Sequence, residues 1–191
     1  MINPYKKFNR LFNQVKNKNI EDPTAFALGT CDKNGQPQVR MVLLKKVLPT
    51  GFIFFTNIKS GKGKQFLNNN KLCMCFYWHS IDKQIRITGK GEIISEKESD
   101  DYFSSRPRES QIGAWASKQS SKIGSRIEFK KKVIFYTEKF KNQKVSRPKY
   151  WLGIKINPQI FEFWSQGKFR LHERELFFLR KKNWHTKLLS P

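Results

Sequence analysis

The sequence predicts a mainly β protein with helices (α+β): a small antiparallel, Greek-key-like barrel with flanking helices. Short β-rich runs outnumber helical segments, and most of them follow one another directly, as strands joined in hairpins do. The regular alternation of strand and helix that builds a doubly wound parallel sheet is missing. With 191 residues, of which 38% are hydrophobic, the chain has enough apolar material for one domain, which we expect to span residues 1–191.

The first element within residues 1–20 is predicted to be an amphipathic helix. Asn3 is placed as its cap and Pro4 as its first residue. Apolar residues then recur at helical spacing, namely Tyr5, Phe8, Leu11, Phe12 and Val15.

The middle of the chain predicts five strands and a short helix. The strands are TAFALGTC, QVRMVLLKKV, GFIFFTN, LCMCFYWHS and KQIRITGKGEIIS. The first two are joined by a stretch in which Asn34-Gly35 suits a hairpin turn, and SGKGKQFLNNN predicts the helix. Because several of these strands are apolar on both faces, both sides of the sheet must be covered, by the barrel interior and by helices or a second subunit.

The second half predicts two helices and further strands around an unusual polar stretch. The helices are EKESDDYFSSR, with an acidic first turn, and a segment from about Ser121 to Phe140. Between them, Ser104 to Ser121 is predicted to be a loop rich in hydrogen-bond donors around the apolar island Ile112 to Trp115. Composition alone fits a solvated connection equally well. The last strands lie in residues 150–191.

The formal net charge of +23 favours anionic ligands, without identifying them. Nucleic acid is the usual ligand inferred from such a charge, yet the lysines are spread along the chain with no basic arm. An amino-acid composition rich in lysine, asparagine and phenylalanine also fits codon bias. The cysteines form no C-x-x-C pair, and neither a secretory signal nor a membrane-spanning apolar run is evident. We expect a cytoplasmic protein with no metal site, since its three histidines do not cluster in sequence with carboxylates.

Four segments place cations where they could meet an anion. In VRMVLLKK, strand alternation puts Arg40 and Lys45 on opposite faces, and in TNIKSGKGK small residues and lysines precede a helix, as at phosphate sites. Cations that extend from a strand edge to solvent fit the first pattern as well.

The other two segments lie in the second half of the chain. Tyr102 and Arg106 are four apart on a predicted helix with Ser110 just beyond its end, a set that suits a phosphate or, equally, a packed phenol and a solvated guanidinium. Arg170, His172 and Arg174 would project to one side of an extended strand. Such crowding is costly unless an anion or polar ligand is bound.

From about Asn3 to Pro191 the chain resembles the pyridoxamine 5'-phosphate oxidases, a family of FMN-binding split barrels. The matching motifs are DPTAFALGT, GQPQVRMVLLK, FFTN, YFSSRPRESQIGAWASKQSS, FEFW and RLHER. The resemblance implies an oxidoreductase of vitamin B6 metabolism, a pyridoxal 5'-phosphate synthase acting on the CH–NH2 group of pyridoxamine 5'-phosphate and on pyridoxine 5'-phosphate. It implies hydride transfer from the substrate C4' to the flavin N5, O2 as acceptor and H2O2 as product. It also implies a homodimer in which residues 150–191 supply dimerisation and active-site strands.

The resemblance also implies the site residues, with Arg40 and Lys62 directed at the FMN phosphate. The implied cofactor-binding residues are Arg40, Met41, Val42, Leu43, Leu44, Lys45, Phe55, Thr56, Gly61, Lys62, Gln84, Gln119, Ser120, Trp164 and Arg174. The implied substrate-binding residues are Lys45, Tyr102, Arg106, Ser110, Arg170, Leu171 and His172, of which Arg170 and His172 are also the catalytic candidates.

Two departures from the family pattern bear on binding. Gly61 stands where the family commonly has an arginine; Lys59 or Lys64 could compensate, and we expect near-normal FMN affinity. The chain also begins near its opening helix, which predicts weaker closure over substrate with the chemistry retained. A nucleic-acid-binding split barrel and another split-barrel flavoprotein such as a flavin reductase are the alternatives. The latter would not need Tyr102, Arg106 and Ser110 beside RLHER.

Overall fold

The computed structural model describes residues 3–191, which form five α-helices and nine strands. The helices are α1 Pro4–Lys18, α2 Gly61–Asn68, α3 Glu96–Ser104, α4 Arg108–Ala116 and α5 Arg126–Lys139. The strands are β1 Ala25–Cys31, β2 Pro37–Leu43, β3 Lys46–Leu48, β4 Gly51–Asn57, β5 Lys71–Trp78, β6 Lys83–Ile93, β7 Trp151–Ser165, β8 Glu173–Arg180 and β9 Asn183–Leu189. Met1 and Ile2, which the predicted N-terminal segment 1–20 includes, lie outside the described residues.

All strand pairs are antiparallel, in the order β2-β1-β5-β6-β7-β4-β3, with β8 and β9 added beside β7. The 15-residue strand β7 organises this sheet. Along one edge it pairs with β6; along the other its first half pairs with β4 and its second half with β8. The edge strand β2 contacts β4, so the sheet curls until its two ends approach. The predicted antiparallel split barrel with flanking helices is confirmed.

Helix α1 closes one side of the barrel. The Asn3 side chain accepts a hydrogen bond from the Tyr5 amide (2.9 Å) and Pro4 is the first helical residue, as predicted. The face of α1 that carries Phe8 and Val15, both fully buried, packs against aromatic side chains of the sheet, including Phe52 and Phe76. This large apolar contact fixes the barrel on which the rest of the chain is built.

The predicted loop between Ser104 and Ser121 is wrong over most of its length, because residues 108–116 form α4. The Gln111 amide explains why a helix forms there: buried under the turn before α4, it donates to the carbonyls of Phe103, Ser104 and Arg106. These contacts tie the start of α4 to the end of α3 and to the turn between the two helices. The donor-rich sequence therefore includes a second short helix, and only residues 105–107 and 117–125 between α3 and α5 remain without regular structure.

Arg108, in the first turn of α4, caps another helix. Its guanidinium donates to the carbonyls of Phe140 (2.6 Å) and Gln143 (3.1 Å) at the C-terminal end of α5, where the helix dipole favours a cation. The α5 helix itself begins at Arg126 rather than at Ser121, because the Ser125 hydroxyl accepts from the Glu128 amide and caps it there.

The strand boundaries correct one prediction and confirm another. The run QVRMVLLKKV is not one strand: β2 ends at Leu43, and the amides of Leu44 and Lys45 bond to the carbonyls of Thr24 and Ile53 (2.8 and 2.9 Å) instead. The hairpin before β2 is confirmed, with Gly35 at φ 82°. None of the helices in the described part of the chain is long and apolar enough to span a membrane.

Candidate functional site

A cavity of about 300 Å³ opens where the two ends of the sheet approach. Residues from β2, β4, the start of α2, the α3–α4 junction and the segment before α5 surround it. The lining side chains are Met41, Val42, Leu43, Lys45, Phe55, Thr56, Asn57, Lys62, Tyr102, Arg106, Gln119 and Trp151. The fold thus brings together most of the predicted site residues from the first two thirds of the chain.

Arg40 and Lys62 form the cationic end of this region. The Arg40 guanidinium donates to the Thr30 hydroxyl (2.6 Å) and to the side-chain oxygen of Gln65 (3.3 Å), so neutral groups hold it in place. Burial lowers the pKa of Arg40, and burial together with the Arg40 charge lowers the pKa of Lys62. Neither forms an ion pair with any carboxylate in residues 3–191. Two cations held close without a counter-ion favour an anionic ligand.

The first turn of α2 lies beside these cations. The Ser60 hydroxyl caps the helix by accepting from the Gly63 amide (3.3 Å). A Cβ at residue 63 would meet the Ile58 backbone at 2.4 Å, so only glycine lets the loop approach this closely. At Gly61, by contrast, the nearest atom to an added Cβ is the Ser120 hydroxyl at 3.9 Å, which leaves room for a larger side chain.

An aromatic stack forms the floor of the cavity. The Phe55 ring lies parallel to Tyr102, with 4.1 Å between centroids, and to Trp151, with 5.0 Å. The Arg106 guanidinium lies over the Trp151 ring at 4.7 Å. Burial raises the pKa of Tyr102 and lowers that of Arg106. Trp151 was missed at the sequence level because its position at the start of a strand gives no sign that it faces a cavity.

The Nη1 atom of Arg106 is buried and has no hydrogen-bond partner among residues 3–191. An unpaired buried donor costs about 1–3 kcal/mol, more when it is charged, so this atom is suited to a ligand oxygen. The predicted helical pairing of Tyr102, Arg106 and Ser110 is wrong in detail: α3 ends at Ser104, Arg106 lies in the junction, and Ser110 lies in the first turn of α4, outside the cavity lining.

A second group of predicted residues forms a row across the far end of the sheet. In strand register, Gln84 of β6 faces Trp164 of β7, which in turn faces Arg174 of β8. Trp164 and Trp151 stand at opposite ends of β7, roughly 40 Å apart along the strand at ~3.3 Å per residue. The row and the cavity of one chain are therefore separate surfaces.

The segment that joins β7 to β8 does not form the predicted strand with Arg170, His172 and Arg174 on one face. The strand begins only at Glu173, and a short turn precedes it in which Phe169 and Arg170 adopt φ values of 54° and 64°. Such conformations are strained for residues other than glycine and cluster at functional sites. Phe169 and Leu171 project to solvent with 92% and 68% of their surfaces exposed.

His172 is held in a defined orientation at the end of this turn. Its ring packs on Trp164, with 4.7 Å between centroids, and its Nδ1 accepts from the Gly167 amide at 3.3 Å. A neutral imidazole whose Nδ1 accepts must carry its proton on Nε2, which leaves Nε2–H as the donor. A Cβ at residue 167 would meet the Leu171 carbonyl oxygen at 1.8 Å, so this contact requires glycine.

The two lysines expected to compensate for Gly61 line a neighbouring cavity of about 430 Å³, together with Gln119 and Trp115. The Lys59 ammonium lies over the Tyr150 ring at 5.4 Å, and neither Lys59 nor Lys64 lines the cavity that holds Lys62. Within residues 3–191, no group of three histidine, cysteine or acidic side chains is placed to hold a metal ion.

Comparison with known proteins gives consistent matches over almost the whole chain. Residues 13–137 match the family described as pyridoxamine 5'-phosphate oxidase, and residues 151–191 match the pyridoxine 5'-phosphate oxidase C-terminal dimerisation region. A pyridoxine/pyridoxamine 5'-phosphate oxidase of Zymomonas mobilis is 42% identical over 188 residues, covering 98% of both chains. The protein of the same name from Brucella anthropi is 44% identical over 190 residues, 98% of this chain and 94% of the relative.

Solved structures match the same architecture. PhzG from Burkholderia lata 383, solved with tetrahydrophenazine-1-carboxylic acid, superposes with a TM-score of 0.93 over 98% of this chain and 92% of its own, at 24% identity. A pyridoxamine 5'-phosphate oxidase-related, FMN-binding protein of Nostoc punctiforme superposes with a TM-score of 0.79 over all of both chains, at 15% identity. These likenesses establish the fold, and the sequence matches establish that the chain belongs to the pyridoxamine 5'-phosphate oxidase family.

Proposed function

We propose that the chain is an FMN-dependent oxidase that converts pyridoxamine 5'-phosphate and pyridoxine 5'-phosphate to pyridoxal 5'-phosphate, with O2 as acceptor and H2O2 as product. The observation that carries this proposal is a set of cations at one cavity that have no counter-ion among the described residues. Arg40 and Lys62 stand at one end of it, and the unpartnered Nη1 of Arg106 stands beside the aromatic floor. Two phosphorylated ligands would satisfy both groups.

The residues present fit FMN. Arg40, Lys62 and the first turn of α2 offer two charges and free backbone amides to a phosphate, as helix N-termini commonly do. Phe55 and Thr56 on β4 supply the neighbouring wall, and the exposed Met41 and Leu43 on β2 offer apolar contact for a planar ring. Gln119 and Ser120 would approach from the segment after α4, and Leu44 and Val42 would support the wall behind them.

A homodimer accounts for the predicted cofactor residues that lie far from the cavity. Gln84, Trp164 and Arg174 share one face of the sheet with exposed apolar side chains on β2 and β5, of which Met41 and Tyr77 are 64% and 56% exposed. A second copy related by a two-fold axis would cover this face and bring its own row and its 166–172 turn to the cavity. The family match of residues 151–191 to a dimerisation region supports this arrangement.

Each side chain then has a definite task in the reaction. Lys45, Tyr102, Arg106 and Ser110 would hold the substrate phosphate, and burial of the Arg106 site excludes the water that would otherwise compete for it. Arg170, Leu171 and His172 would lie over the pyridine ring, where Nε2–H of His172 donates to a ring substituent and fixes the orientation. FMN, when bound, supplies the redox chemistry by accepting a hydride equivalent from C4'.

Flavin reduction by substrate tests the proposal directly. Purified protein supplied with FMN is expected to be yellow, to bleach when pyridoxine 5'-phosphate is added without oxygen, and to form peroxide on readmission of air. Unphosphorylated pyridoxine is the matched control, since it lacks the group that Arg106 would bind. Protein that takes up no FMN would overturn the oxidase. Binding of DNA or RNA that falls steeply with salt would point to the nucleic-acid alternative instead.

A further inference from the structure

A buried carboxylate that is not among the predicted site residues lies beside the row of Gln84, Trp164 and Arg174. Glu162 lies two residues before Trp164 on the central strand β7 and on the same face of the sheet. Only 4% of it is exposed, and it is the sole acidic residue among the buried residues of the described chain. A buried carboxylate is retained at such a position only if neighbouring cations compensate for its desolvation.

Two arginines from the strands on either side supply that compensation. Arg86 of β6 stands directly opposite Glu162 and donates to it from Nη2. Arg174 of β8 reaches diagonally across, and its Nε and Nη2 both lie 2.9 Å from the Glu162 Oε1. One carboxylate therefore joins three adjacent strands and leaves the cluster with a net positive charge.

The contacts also determine how Arg174 is presented. Nε and Nη2 face Glu162, and Nη1 donates to the Ser190 carbonyl at 3.0 Å, so three of its five N–H groups are occupied within the chain. The two that remain, one on Nη1 and one on Nη2, are available to a ligand. Arg174 is thus held in one orientation while two of its N–H groups stay free.

We propose that Glu162 is a positioning residue that orients Arg174 for the cofactor, with Arg86 as the second anchor of its carboxylate. The inference rests on the proposed function, because it assigns the ligand of Arg174 as FMN. Glu162 itself would not contact the cofactor. Its removal would release the Arg174 side chain, which has several rotatable bonds, into many orientations, and the affinity would fall for that reason.

Titration of the full-length protein with FMN, followed by quenching of flavin fluorescence, tests this assignment. Glu162→Gln is expected to weaken FMN binding about tenfold, the range expected for loss of a charge-assisted contact. The matched control is Glu175→Gln, which removes a carboxylate paired with Lys7 on the opposite face of β8. The control is expected to bind FMN as the wild type does.

A double-variant cycle distinguishes positioning from general loosening of the sheet. If Glu162 acts through Arg174, then Glu162→Gln causes no further loss of FMN affinity in an Arg174→Ala background. Independent, additive losses would overturn the inference, as would a Glu162→Gln protein that binds FMN normally. If Glu162→Gln fails to fold, Glu162→Asp takes its place: it keeps the charge but shortens the reach, and undiminished FMN affinity in that variant overturns the inference too. Failure of wild-type protein to bind FMN would instead overturn the proposed function.

Discussion

The two cationic regions of this protein differ in what completes them. In the part of the chain that the structure describes, Arg40, Lys62 and Arg106 at the cavity meet no carboxylate, and the buried Nη1 of Arg106 has no hydrogen-bond partner. At the far end of the sheet, Arg174 is already paired with the buried Glu162. The cations of the first region have no carboxylate partner among the described residues, whereas Arg174 in the second is anchored by a carboxylate of its own chain.

This difference separates two kinds of preparation for a ligand. The cations of the cavity are uncompensated, which lowers the stability of the free protein. Binding of an anionic ligand would raise that stability. In the row of Gln84, Trp164 and Arg174, by contrast, Arg174 is oriented by Glu162 and lies far from the cavity of its own chain, so it is suited to meet a ligand bound in another chain. In a homodimer, each site would combine the unpaired cations of one chain's cavity with the oriented Arg174 of the other chain.

The largest effect is expected from mixing two inactive variants. Arg106→Ala damages the cavity and Arg170→Ala damages the turn before β8, so at substrate concentrations well below the wild-type KM each homodimer should keep about a tenth of wild-type activity or less. If one chain's turn completes the other chain's cavity, a mixed dimer has one intact site, and an equal mixture should recover about a quarter of wild-type activity. The measurement is peroxide formation after the variants are unfolded and refolded together. No recovery would mean that each site lies within one chain.

The next effect concerns Arg106 alone. Arg106→Ala should raise the KM for pyridoxine 5'-phosphate about tenfold or more, because a charge-assisted contact to phosphate contributes about 1.5–3 kcal/mol. Arg108→Ala is the matched control: it removes a neighbouring arginine whose partners are carbonyls at the end of α5. The control should lower the melting temperature and leave KM unchanged. An unchanged KM in Arg106→Ala would remove Arg106 from the phosphate site.

Local sequence patterns predicted the regular elements, and the family resemblance predicted the members of the row. Strand alternation and helical spacing are local signals, so the sheet, α1 and α2 were predicted from composition and spacing. Motif resemblance named Gln84, Trp164 and Arg174, although they are far apart in sequence, and the strand register then placed them in one row.

What could not be predicted depends on contacts between distant residues. The break after β2 follows from bonds to Thr24 and Ile53, and α4 is stabilised by Gln111, which pairs with the end of the previous helix. Glu162 was missed because a glutamate among aromatic residues in FEFW gives no sign of the arginines opposite it. The sequence likewise gave no sign of the strained turn at Phe169 and Arg170, and it predicted an extension of the following strand there.

A smaller effect is expected from the charge state of Lys62. Burial and the Arg40 charge lower its pKa, so Lys62 loses its proton at lower pH than an ordinary lysine. FMN affinity should therefore fall as pH rises toward that lowered pKa. The stability of the free protein should change with the opposite sign, because the unfolded chain binds this proton more tightly and deprotonation relieves the repulsion.

Lys62→Arg and Lys62→Met test this coupling between charge and binding. Lys62→Arg stays charged, so its FMN affinity should remain level over the pH range in which the affinity of the wild type declines. Lys62→Met should bind FMN weakly at every pH but unfold at a melting temperature equal to or above that of the free wild type. Equal pH dependence in wild type and Lys62→Arg would show that Lys62 does not contact the anion.

The smallest effect is expected at Gly61, where the resemblance led us to expect an arginine. A side chain fits there, since the nearest atom to an added Cβ is the Ser120 hydroxyl at 3.9 Å. Lys59 and Lys64 line the neighbouring cavity, so the charges available to an FMN phosphate are those of Arg40 and Lys62 with the amides of α2.

If these charges and amides suffice, Gly61→Arg should strengthen FMN binding only a few-fold, because an exposed charge adds about 1 kcal/mol or less. Gly61→Gln, with a comparable length and no charge, controls for packing. Weak FMN binding by the wild type that Gly61→Arg restores would show instead that the cavity lacks a cation for the FMN phosphate.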